Sequence, residues 1–587
     1  MAKIGNYRMK SLSYLNKYFF KYKWRFLLGV LFIIGQNFFK VKMPDFTGDV
    51  IDELVDGVSS ENVVSYAINV GLIYVGLSLA AGLFLFLQRQ TIIVMSRFIE
   101  FDLKNEIYHQ YQELGYTFYK KNSTGDLMNR ISEDVTKVRM YLGPSLMYSI
   151  NLVVLTVLVV KNMIQINGYL TIFVLIPLPI MSFLIYRVSS KMNKLSTKVQ
   201  EEQSYMSTLA QEYFSGIRVV KAYGRDNEVS GKFDSSAERY KNKNMRLVLV
   251  NALFMPTIFM LIGLSTLLCI YLGGLFYGNG DITLGNILMY IIYVNLLTWP
   301  FASIGWVTSL VQRASASQTR INEFLNEHNE IQNNTNEPFK FNGEIEFKNV
   351  TFTYKTSGIE AIKDLSFKIR RGETLGIVGR TGSGKSTILA LLMRQIEPDS
   401  GLILIDRVPL KEINLEDFRL STGIVPQDVF LFSDTIRNNI AFGSAQGSTD
   451  DELIDVAKKA HVYHNILEFE NKFDTLLGER GVNLSGGQKQ RVSIARALIR
   501  KPSLLLLDDC LSAVDTETEE IILGHLRDSQ MESSVIVSHR ISSIRHAQRV
   551  IVIDAGTKIE EGSHDELIKL KGRYAEIYRK QLDELGE

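Results

Sequence analysis

Long apolar runs alternate with charged stretches in the first half of the chain, and each run is long enough for a membrane-crossing helix. One crossing needs about 20 apolar residues in helical conformation. From Leu247 to Gln312 there is no Lys or Arg, and Asp281 is the only acid. This tract alone can therefore cross a bilayer twice. The whole pattern predicts six spans, at residues 24–45, 63–88, 144–164, 168–187, 247–277 and 282–308.

The positions of Lys and Arg predict how these spans are oriented. Seven of these residues lie in 1–25, eight in 89–143 and twelve in 187–246, whereas 43–88 and 277–283 have none. Basic residues concentrate in the cytoplasmic loops of membrane proteins. We therefore expect a multi-pass protein of the cell membrane with both termini in the cytoplasm.

The segment before the first span predicts a helix that lies on the inner face of the bilayer. Residues 1–23 place several large apolar side chains on one helical face among lysines. This face consists of Leu12, Leu15, Tyr18, Phe19 and Tyr22. A disordered basic tail is the alternative.

The two internal basic segments are too polar for lipid and have a helical pattern. We expect the spanning helices to continue past the membrane and to meet at short crosspieces, in 116–127 and 211–226. Both crosspieces place aromatic residues and a Gly among charges, as a docking surface for another domain would require. Plain turns are the alternative.

The chain divides by composition into a membrane half and a polar half. We predict a transmembrane domain at 24–320, a linker rich in Asn and Glu at 321–342, and a second domain at 343–587. The net charge is +2, and charge is mixed throughout the second half. Two cysteines, Cys269 and Cys510, give no disulfide framework and no zinc cluster, so both are predicted to be buried small apolar residues.

A Gly-rich loop in the second half carries a phosphate-binding pattern. The apolar strand "TLGIVG" runs directly into "RTGSGKST", and a helical pattern follows. In this context backbone N–H groups wrap phosphates, and the helix start adds partial positive charge. We expect Lys385 to reach the β and γ oxygens and Ser386 to ligate Mg²⁺. The predicted ATP-binding residues of the loop are Gly379, Arg380, Thr381, Gly382, Ser383, Gly384, Lys385, Ser386 and Thr387.

Two further motifs follow in the polar half. The strand "SLLLLD" ends on Asp508, which is placed to supply the carboxylate on the Mg²⁺ side. Before it, Ser485, Gly486 and Gly487 precede a helix whose start can accept an anion. One loop already holds a triphosphate, so this second helix start suggests a second nucleotide or one held by another copy.

The chain resembles the ATP-binding cassette (ABC) proteins. "LSGGQ" at 484–488, some way ahead of "LLLLDD", is the signature of that family, and six spans followed by one cassette resemble a half-transporter of the ABC exporter type. The segment "MPDFTGDVID" after the first span fits the same type. The resemblance implies an all-α six-helix transmembrane domain followed by an α/β P-loop cassette domain.

The resemblance also implies roles for single residues. Tyr354 would stack on adenine, Gln427 would touch Mg²⁺ and sense the membrane half, and His539 would contact the γ-phosphate. Asp515 would be the acid of the loop that crosses to a partner cassette. Two cassettes would enclose two ATP molecules head to tail, each site pairing one chain's phosphate loop with the other chain's signature residues, which here are Ser485, Gly486, Gly487 and Gln488.

One residue departs from the family pattern. The residue after the Mg²⁺ aspartate is Glu in the family, where it is taken to polarise the attacking water, and here it is Asp509. Asp lacks one methylene, so its carboxylate retreats by roughly 1–1.5 Å on a fixed backbone. A misplacement of about 1 Å can cost on the order of a hundredfold in rate. We expect this site to bind ATP and to hydrolyse it poorly, unless a bridging water or a backbone shift restores the reach.

Asp509 together with an intact signature resembles one subunit of the heterodimeric exporters, whose two sites are unequal. The expected partner is a second half-transporter chain with Glu at the equivalent position. The expected cargo is an amphipathic drug, lipid or peptide. An importer of a metal chelate on the same fold, or an ATP-gated channel, is the alternative. The spans exclude a soluble ABC protein of DNA repair, and no basic aromatic patch indicates nucleic acid.

The spans predict no specific cargo residues. Lys40 and Lys42 lie near the outer end of the first span, where we expect both to snorkel to headgroups. Some aromatic and polar residues are candidates for a cavity wall, although helix packing explains them equally well. They are Phe254, Met255, Asn295, Trp299 and Trp306.

Overall fold

This computed structural model describes residues 11–56, 63–444, 447–529 and 531–585. The chain separates into two units. The first comprises the chain up to Glu113 and Asn122–Glu327, and the second comprises Leu114–Lys121 and His328 onward.

The described residues of the first unit form helices joined by short turns. Its helices are α1 Asn16–Lys21, α2 Lys23–Asp56, α3 Val63–Gln88, α4 Val94–Glu113, α6 Thr124–Asn129, α7 Val135–Met140, α8 Leu146–Ile166, α9 Gly168–Leu175, α10 Pro177–Ser215, α11 Ile217–Ala222, α12 Asp226–Ala252, α13 Phe254–Gly278 and α14 Leu284–Leu325. The short helix α5, Tyr116–Lys121, groups with the second unit. Single π-helical turns at Arg89–Ile93, Arg130–Asp134 and Tyr141–Ser145 connect several of them.

The described residues contain six helical runs that are long and apolar enough to cross a membrane, which confirms the six predicted spans. They are Lys23–Val55, Val64–Glu113, Thr124–Ile166, Gly168–Ser215, Asp226–Gly278 and Leu284–Leu325, of 33 to 53 residues each. At 1.5 Å per residue these runs are about 50–80 Å long, whereas the apolar core of a bilayer is about 30 Å thick. The helices therefore extend well past the membrane. Helices α5 and α11 lie at the turns between long helices, inside the segments 116–127 and 211–226.

The described part of the N-terminal segment packs on protein. Of the predicted helix at 1–23, residues 1–10 lie outside the described residues. A 3₁₀ turn at Ser13–Leu15 leads into α1, and Leu15 and Tyr18 are 0% and 6% exposed. Lys17 pairs with Glu106 of α4 at 2.6 Å. Two members of the predicted lipid-facing side are therefore buried within the protein, and the Tyr18 hydroxyl donates to Glu106 of α4.

The first and last spans touch backbone to backbone where Gly48, late in α2, meets Gly285 at the start of α14. A Cβ atom on Gly285 would lie 2.2 Å from the carbonyl oxygen of Gly48. Asp52 accepts hydrogen bonds from the Thr283 hydroxyl at 2.6 Å and from the Gly285 N–H at 2.8 Å. Gly48 and Asp52 both belong to "MPDFTGDVID", so this motif fastens α2 to the start of α14. Nearby, Lys42 pairs with Asp45 at 3.0 Å.

The second unit contains two β-sheets flanked by helices. A four-stranded antiparallel sheet has the order β2-β1-β4-β5, and a six-stranded sheet has the order β10-β9-β3-β8-β7-β6. The strands are β1 Ile345–Tyr354, β2 Ile359–Ile369, β3 Thr374–Val378, β4 Ser400–Ile405, β5 Val408–Pro409, β6 Thr422–Val425, β7 Leu504–Asp508, β8 Ser533–Ser538, β9 Arg549–Asp554 and β10 Thr557–Gly562. The helices are α15 Lys385–Leu392, α16 Leu415–Leu420, α17 Ile436–Ala441, α18 Asp450–Lys459, α19 Tyr463–Glu468, α20 Gly486–Leu498, α21 Thr516–Asp528, α22 His564–Leu570 and α23 Arg573–Leu585.

The six-stranded sheet is parallel except for its edge pair β9 and β10. Strand β7 is buried along its whole length, as a parallel strand covered on both faces should be. The two predicted strands, "TLGIVG" and "SLLLLD", are β3 and β7. Cys269 and Cys510 are both free and buried, which confirms the prediction for them.

Candidate functional site

The predicted site residues gather at the carboxyl ends of neighbouring parallel strands. The phosphate loop follows β3, His539 follows β8, Asp508 ends β7, and Gln427 follows β6. The sheet order β3-β8-β7-β6 places these ends side by side. Ligands of open α/β sheets bind at this edge.

Two glycines of the phosphate loop, Gly379 and Gly384, are required by close backbone contacts. A Cβ atom on Gly379 would lie 2.2 Å from the carbonyl oxygen of Ile553, and one on Gly384 would lie 2.4 Å from that of Ala361. Gly384 also has a φ of +103°, a left-handed conformation that favours glycine. The loop therefore bends sharply against the sheet before α15 begins at Lys385.

The side chain of Lys385 is hydrogen-bonded to the backbone of the phosphate loop. Its ammonium donates hydrogen bonds to the carbonyl oxygens of Gly379 and Arg380, each at 2.8 Å. Burial lowers the pKa of Lys385, while the nearby charges of Asp509 and Asp508 act in the opposite direction. The ammonium thus lies between the loop and the two acids, at the start of a helix.

Oxygen donors suited to Mg²⁺ meet beside the loop. The Ser386 hydroxyl donates to Oδ1 of Asp508 at 3.1 Å, and Asp508 is only 9% exposed. Burial raises the pKa of Asp508, an effect that the Ser386 hydrogen bond opposes. The Ser383 hydroxyl is buried and has no hydrogen-bond partner among the described residues. Hydroxyl and carboxylate oxygens are ligands that Mg²⁺ prefers, so these residues fit the ion.

Both oxygens of Asp509 are engaged by residues from neighbouring strand ends. Nδ1 of His539 lies 2.7 Å from Oδ1, and Nε2 of Gln427 lies 3.5 Å from Oδ2. The backbone N–H of Asp509 donates to the carbonyl of Val537 at 2.8 Å, and its φ is +45°. The structure thus brings His539 and Gln427 into contact with Asp509. The sequence did not predict these two contacts, because they depend on the order of the strands.

Tyr354 lies beside the same loop at the end of β1. Its hydroxyl is 3.1 Å from that of Thr387, so a hydrogen bond connects Tyr354 to α15. The ammonium of Lys120 lies 4.1 Å from the ring centroid, a cation–π distance. No local sequence signal indicated Lys120.

The signature residues begin the long helix α20. Ser485 is its N-cap: the Gln488 N–H donates to the Ser485 hydroxyl at 3.3 Å, and the Ser485 N–H donates to the Gln488 side chain at 2.9 Å. This reciprocal capping could have been predicted, because Ser and Gln stand three residues apart. A Cβ atom on Gly487 would lie 2.8 Å from the carbonyl oxygen of Ala513.

The helix α20 is connected to the loop that follows Asp509. The side-chain oxygen of Gln490 accepts from the N–H of Ala513 at 3.2 Å, and Nε2 of Gln490 lies 3.5 Å from the Ser512 hydroxyl. Asp515 is exposed and caps α21 by accepting from the N–H of Thr518 at 2.9 Å, which lowers the pKa of Asp515. Within the described residues, no hydrogen bond joins the signature residues to loop 379–387.

We expect Gly379→Ala to weaken the binding of a fluorescent ATP analogue at least tenfold. The new methyl group would meet the Ile553 carbonyl at 2.2 Å, so the loop must move to accommodate it. Gly524→Ala, in α21, is the matched control and should bind as the parent does, because the new Cβ would meet no atom within 4 Å beyond the backbone of its own helix. Equal affinity for the parent and Gly379→Ala would contradict the tight fit of the loop.

Known proteins and structures resemble the chain over nearly its full length. The family model for the ABC transporter transmembrane region matches residues 26–301, and the model for the ABC transporter matches 362–512. A probable multidrug resistance ABC transporter ATP-binding/permease protein of Bacillus subtilis, YheI, is 33% identical over 570 residues, with 96% of each chain covered.

Two further matches also cover nearly the whole chain. An ATP-dependent lipid A-core flippase of Acinetobacter baylyi is 31% identical over 578 residues, covering 98% of this chain and 99% of the flippase. The structure of a bacterial Atm1-family ABC exporter with ATP bound superimposes with a TM-score of 0.79 at 26% identity, covering 95% of this chain and 98% of that one.

Proposed function

Since the chain belongs to the ABC transporter family and has the six-span, single-cassette build of an exporter half-transporter, we propose that it exports drugs, lipids or other amphipathic compounds. The cassette uses ATP, and the chain is an integral membrane protein. The resemblance to a multidrug resistance transporter and to a lipid flippase supports this class of cargo, although cargo is a property of sites rather than folds. We further propose that both termini face the cytoplasm.

The observation that carries the proposal is the set of side chains at one sheet edge. In the proposed site Lys385 and the loop N–H groups bind the β and γ phosphates. Ser386, Asp508 and Gln427 would hold Mg²⁺, which neutralises charge that develops on the phosphates. Tyr354 would stack on the adenine ring, as its position next to Thr387 allows.

We propose that hydrolysis at this site is slow. A general base must approach the attacking water to about 2.6–3.2 Å, and Asp509 is one methylene shorter than the family's Glu. Its two oxygens also face His539 and Gln427, at 2.7 and 3.5 Å. Both carboxylate oxygens therefore already have partners within the protein. In this proposal His539 contacts the γ-phosphate and Asp509 serves as a weak base.

The second proposed site forms with a partner chain. Ser485, Gly486, Gly487 and Gln488 would complete the partner's phosphate loop, and Asp515 would lie on the loop that crosses between the cassettes. The chain's own signature makes no hydrogen bond to its own loop within the described residues, which supports this division. ATP binding would close the cassettes, the crosspieces at 116–127 and 211–226 would pass the closure to the spans, and hydrolysis at the partner's site would reset the pair.

Co-purification from native membranes tests the heterodimer. We expect a tagged chain to bring down a different half-transporter that has Glu after its Mg²⁺ aspartate, because one competent acid is needed for each cycle. Turnover should depend on that chain, since the chain alone should hydrolyse ATP slowly. A homodimer of the isolated chain with robust ATP turnover would contradict the proposal.

A further inference from the structure

A cavity of about 530 Å³ lies between α10, α13 and α14. Four of the five residues that the sequence offered as a cavity wall do line it, namely Phe254, Met255, Trp299 and Trp306. Asn295, the fifth, instead donates to the Ile291 carbonyl of its own helix at 2.8 Å. The size matches small-molecule sites, which have volumes of about 300–1,000 Å³ and mostly apolar walls.

The cavity lining carries positive charge and no negative charge among the described residues. Of the residues that the structure describes, Arg313 is the only charged one that lines the cavity, and no Asp or Glu lines it. Nη1 of Arg313 donates to the Ser309 hydroxyl at 2.6 Å, and the guanidinium forms no ion pair with the described residues. Four of its five N–H donors are therefore available for a ligand. A cationic ligand would find aromatic rings here but no counter-charge.

Arg313 and the two tryptophans of the cavity lie at different positions along α14. Trp306 precedes Arg313 by seven residues and Trp299 precedes it by fourteen, about 10 and 21 Å along a helix. Ser189 and Asn193, from the start of the charged extension of α10, line the same wall. The cavity is thus polar toward the charged extensions and apolar toward the spans.

We propose that this cavity binds an amphipathic anion, with a carboxylate, sulfate or phosphate head at Arg313 and an apolar body against Trp299, Trp306 and Met255. Charge complementarity selects this occupant over an organic cation of the same shape. The inference rests on the proposed export function and deepens it, because it specifies the charge of the cargo. Arg313 is a specificity-determining residue in this arrangement.

Two of the three tryptophans line the cavity, so fluorescence can test the proposal directly. The full chain with Trp24→Phe, in an uncharged detergent and without nucleotide, is titrated with 12-dansylaminododecanoate. Energy transfer from Trp299 and Trp306 to the dansyl group reports binding. The trimethylammonium and carboxamide analogues of the same chain length are the comparison probes.

We expect the anion to bind at least tenfold more tightly than the trimethylammonium analogue. Arg313→Gln should abolish this preference and leave carboxamide binding unchanged, which shows that the cavity is intact. Arg313→Lys should keep most of the preference. Arg187→Gln is the matched control, because Arg187 stacks on Phe183 with its guanidinium 5.0 Å from the ring centroid and does not line the cavity. A cation that binds as tightly as the anion, or an anion affinity unaffected by Arg313→Gln, would overturn the proposal.

This binding test can fail separately from an assay of ATP-driven export by the co-purified pair. Anion binding that depends on Arg313, in a chain that never transports, would support the cavity assignment and contradict the export function. ATP-driven export of cations, with no anion preference in the binding test, would support the export function and overturn the cavity assignment.

Discussion

Asp509→Glu is expected to raise ATP turnover by about ten- to a hundredfold in the proposed heterodimer, when the partner carries Gln in place of its catalytic Glu. The partner's site is then silent, so the measured rate comes from the site built on this chain's phosphate loop. The added methylene advances the carboxylate by roughly 1–1.5 Å, and an error of about 1 Å in position costs on the order of a hundredfold. Phosphate release is the measurement.

Asp528→Glu provides the control for this substitution. It makes the same chemical change at an exposed position near the end of α21, and we expect no change in rate. If Asp509→Glu also left the rate unchanged, the length of the acid would not limit hydrolysis. The contacts of Asp509 with His539 and Gln427 would then be the feature to test next.

In the proposed heterodimer with an unmodified partner, Lys385→Ala should lower nucleotide affinity and Ser485→Ala should lower turnover. Lys385→Ala should weaken ATP binding at this chain's own loop at least tenfold and leave most of the turnover, because the competent site uses the partner's loop. Ser485→Ala should leave that affinity unchanged and lower turnover at least tenfold, because the partner's site loses a phosphate contact. Nucleotide binding and phosphate release, measured on the same preparations, separate the two effects.

Ser485 also caps α20, so the loss of the cap needs its own control. Ser563 forms the same reciprocal capping arrangement with Glu566 at the start of α22, and a lost cap of this kind costs about 1 kcal/mol. We expect Ser563→Ala to reproduce the loss of stability without the loss of turnover. Equal losses of turnover in both variants would show that Ser485 acts only as a cap.

The parts of the fold that depend on local pattern were predictable from the sequence. The six spans follow from the length and composition of the apolar runs. The positions of β3, β7 and the phosphate loop follow from an apolar strand that runs into glycines. Each of these features is determined by a contiguous stretch of chain, so its neighbours along the sequence are sufficient to identify it.

The parts that depend on distant neighbours were not predictable. The contact of His539 with Asp509 requires β8 to lie beside β7, and the position of Lys120 over Tyr354 joins residues from separate parts of the chain. The N-terminal segment shows the same limit. Its apolar face suggested lipid, whereas Leu15 and Tyr18 are buried within the protein. The contact of Tyr18 with Glu106 of α4 joins residues far apart in the sequence, so no local pattern reveals it.

The contact between Gly48 and Gly285 restricts how the transport path can open. At this contact the two backbones are too close to admit even a methyl group, and Asp52 adds two hydrogen bonds to the junction. Separating the first and sixth spans at this junction would therefore break both hydrogen bonds of Asp52 and expose the backbone of two glycines. We expect a gap between spans to open first where helices pack through side chains alone.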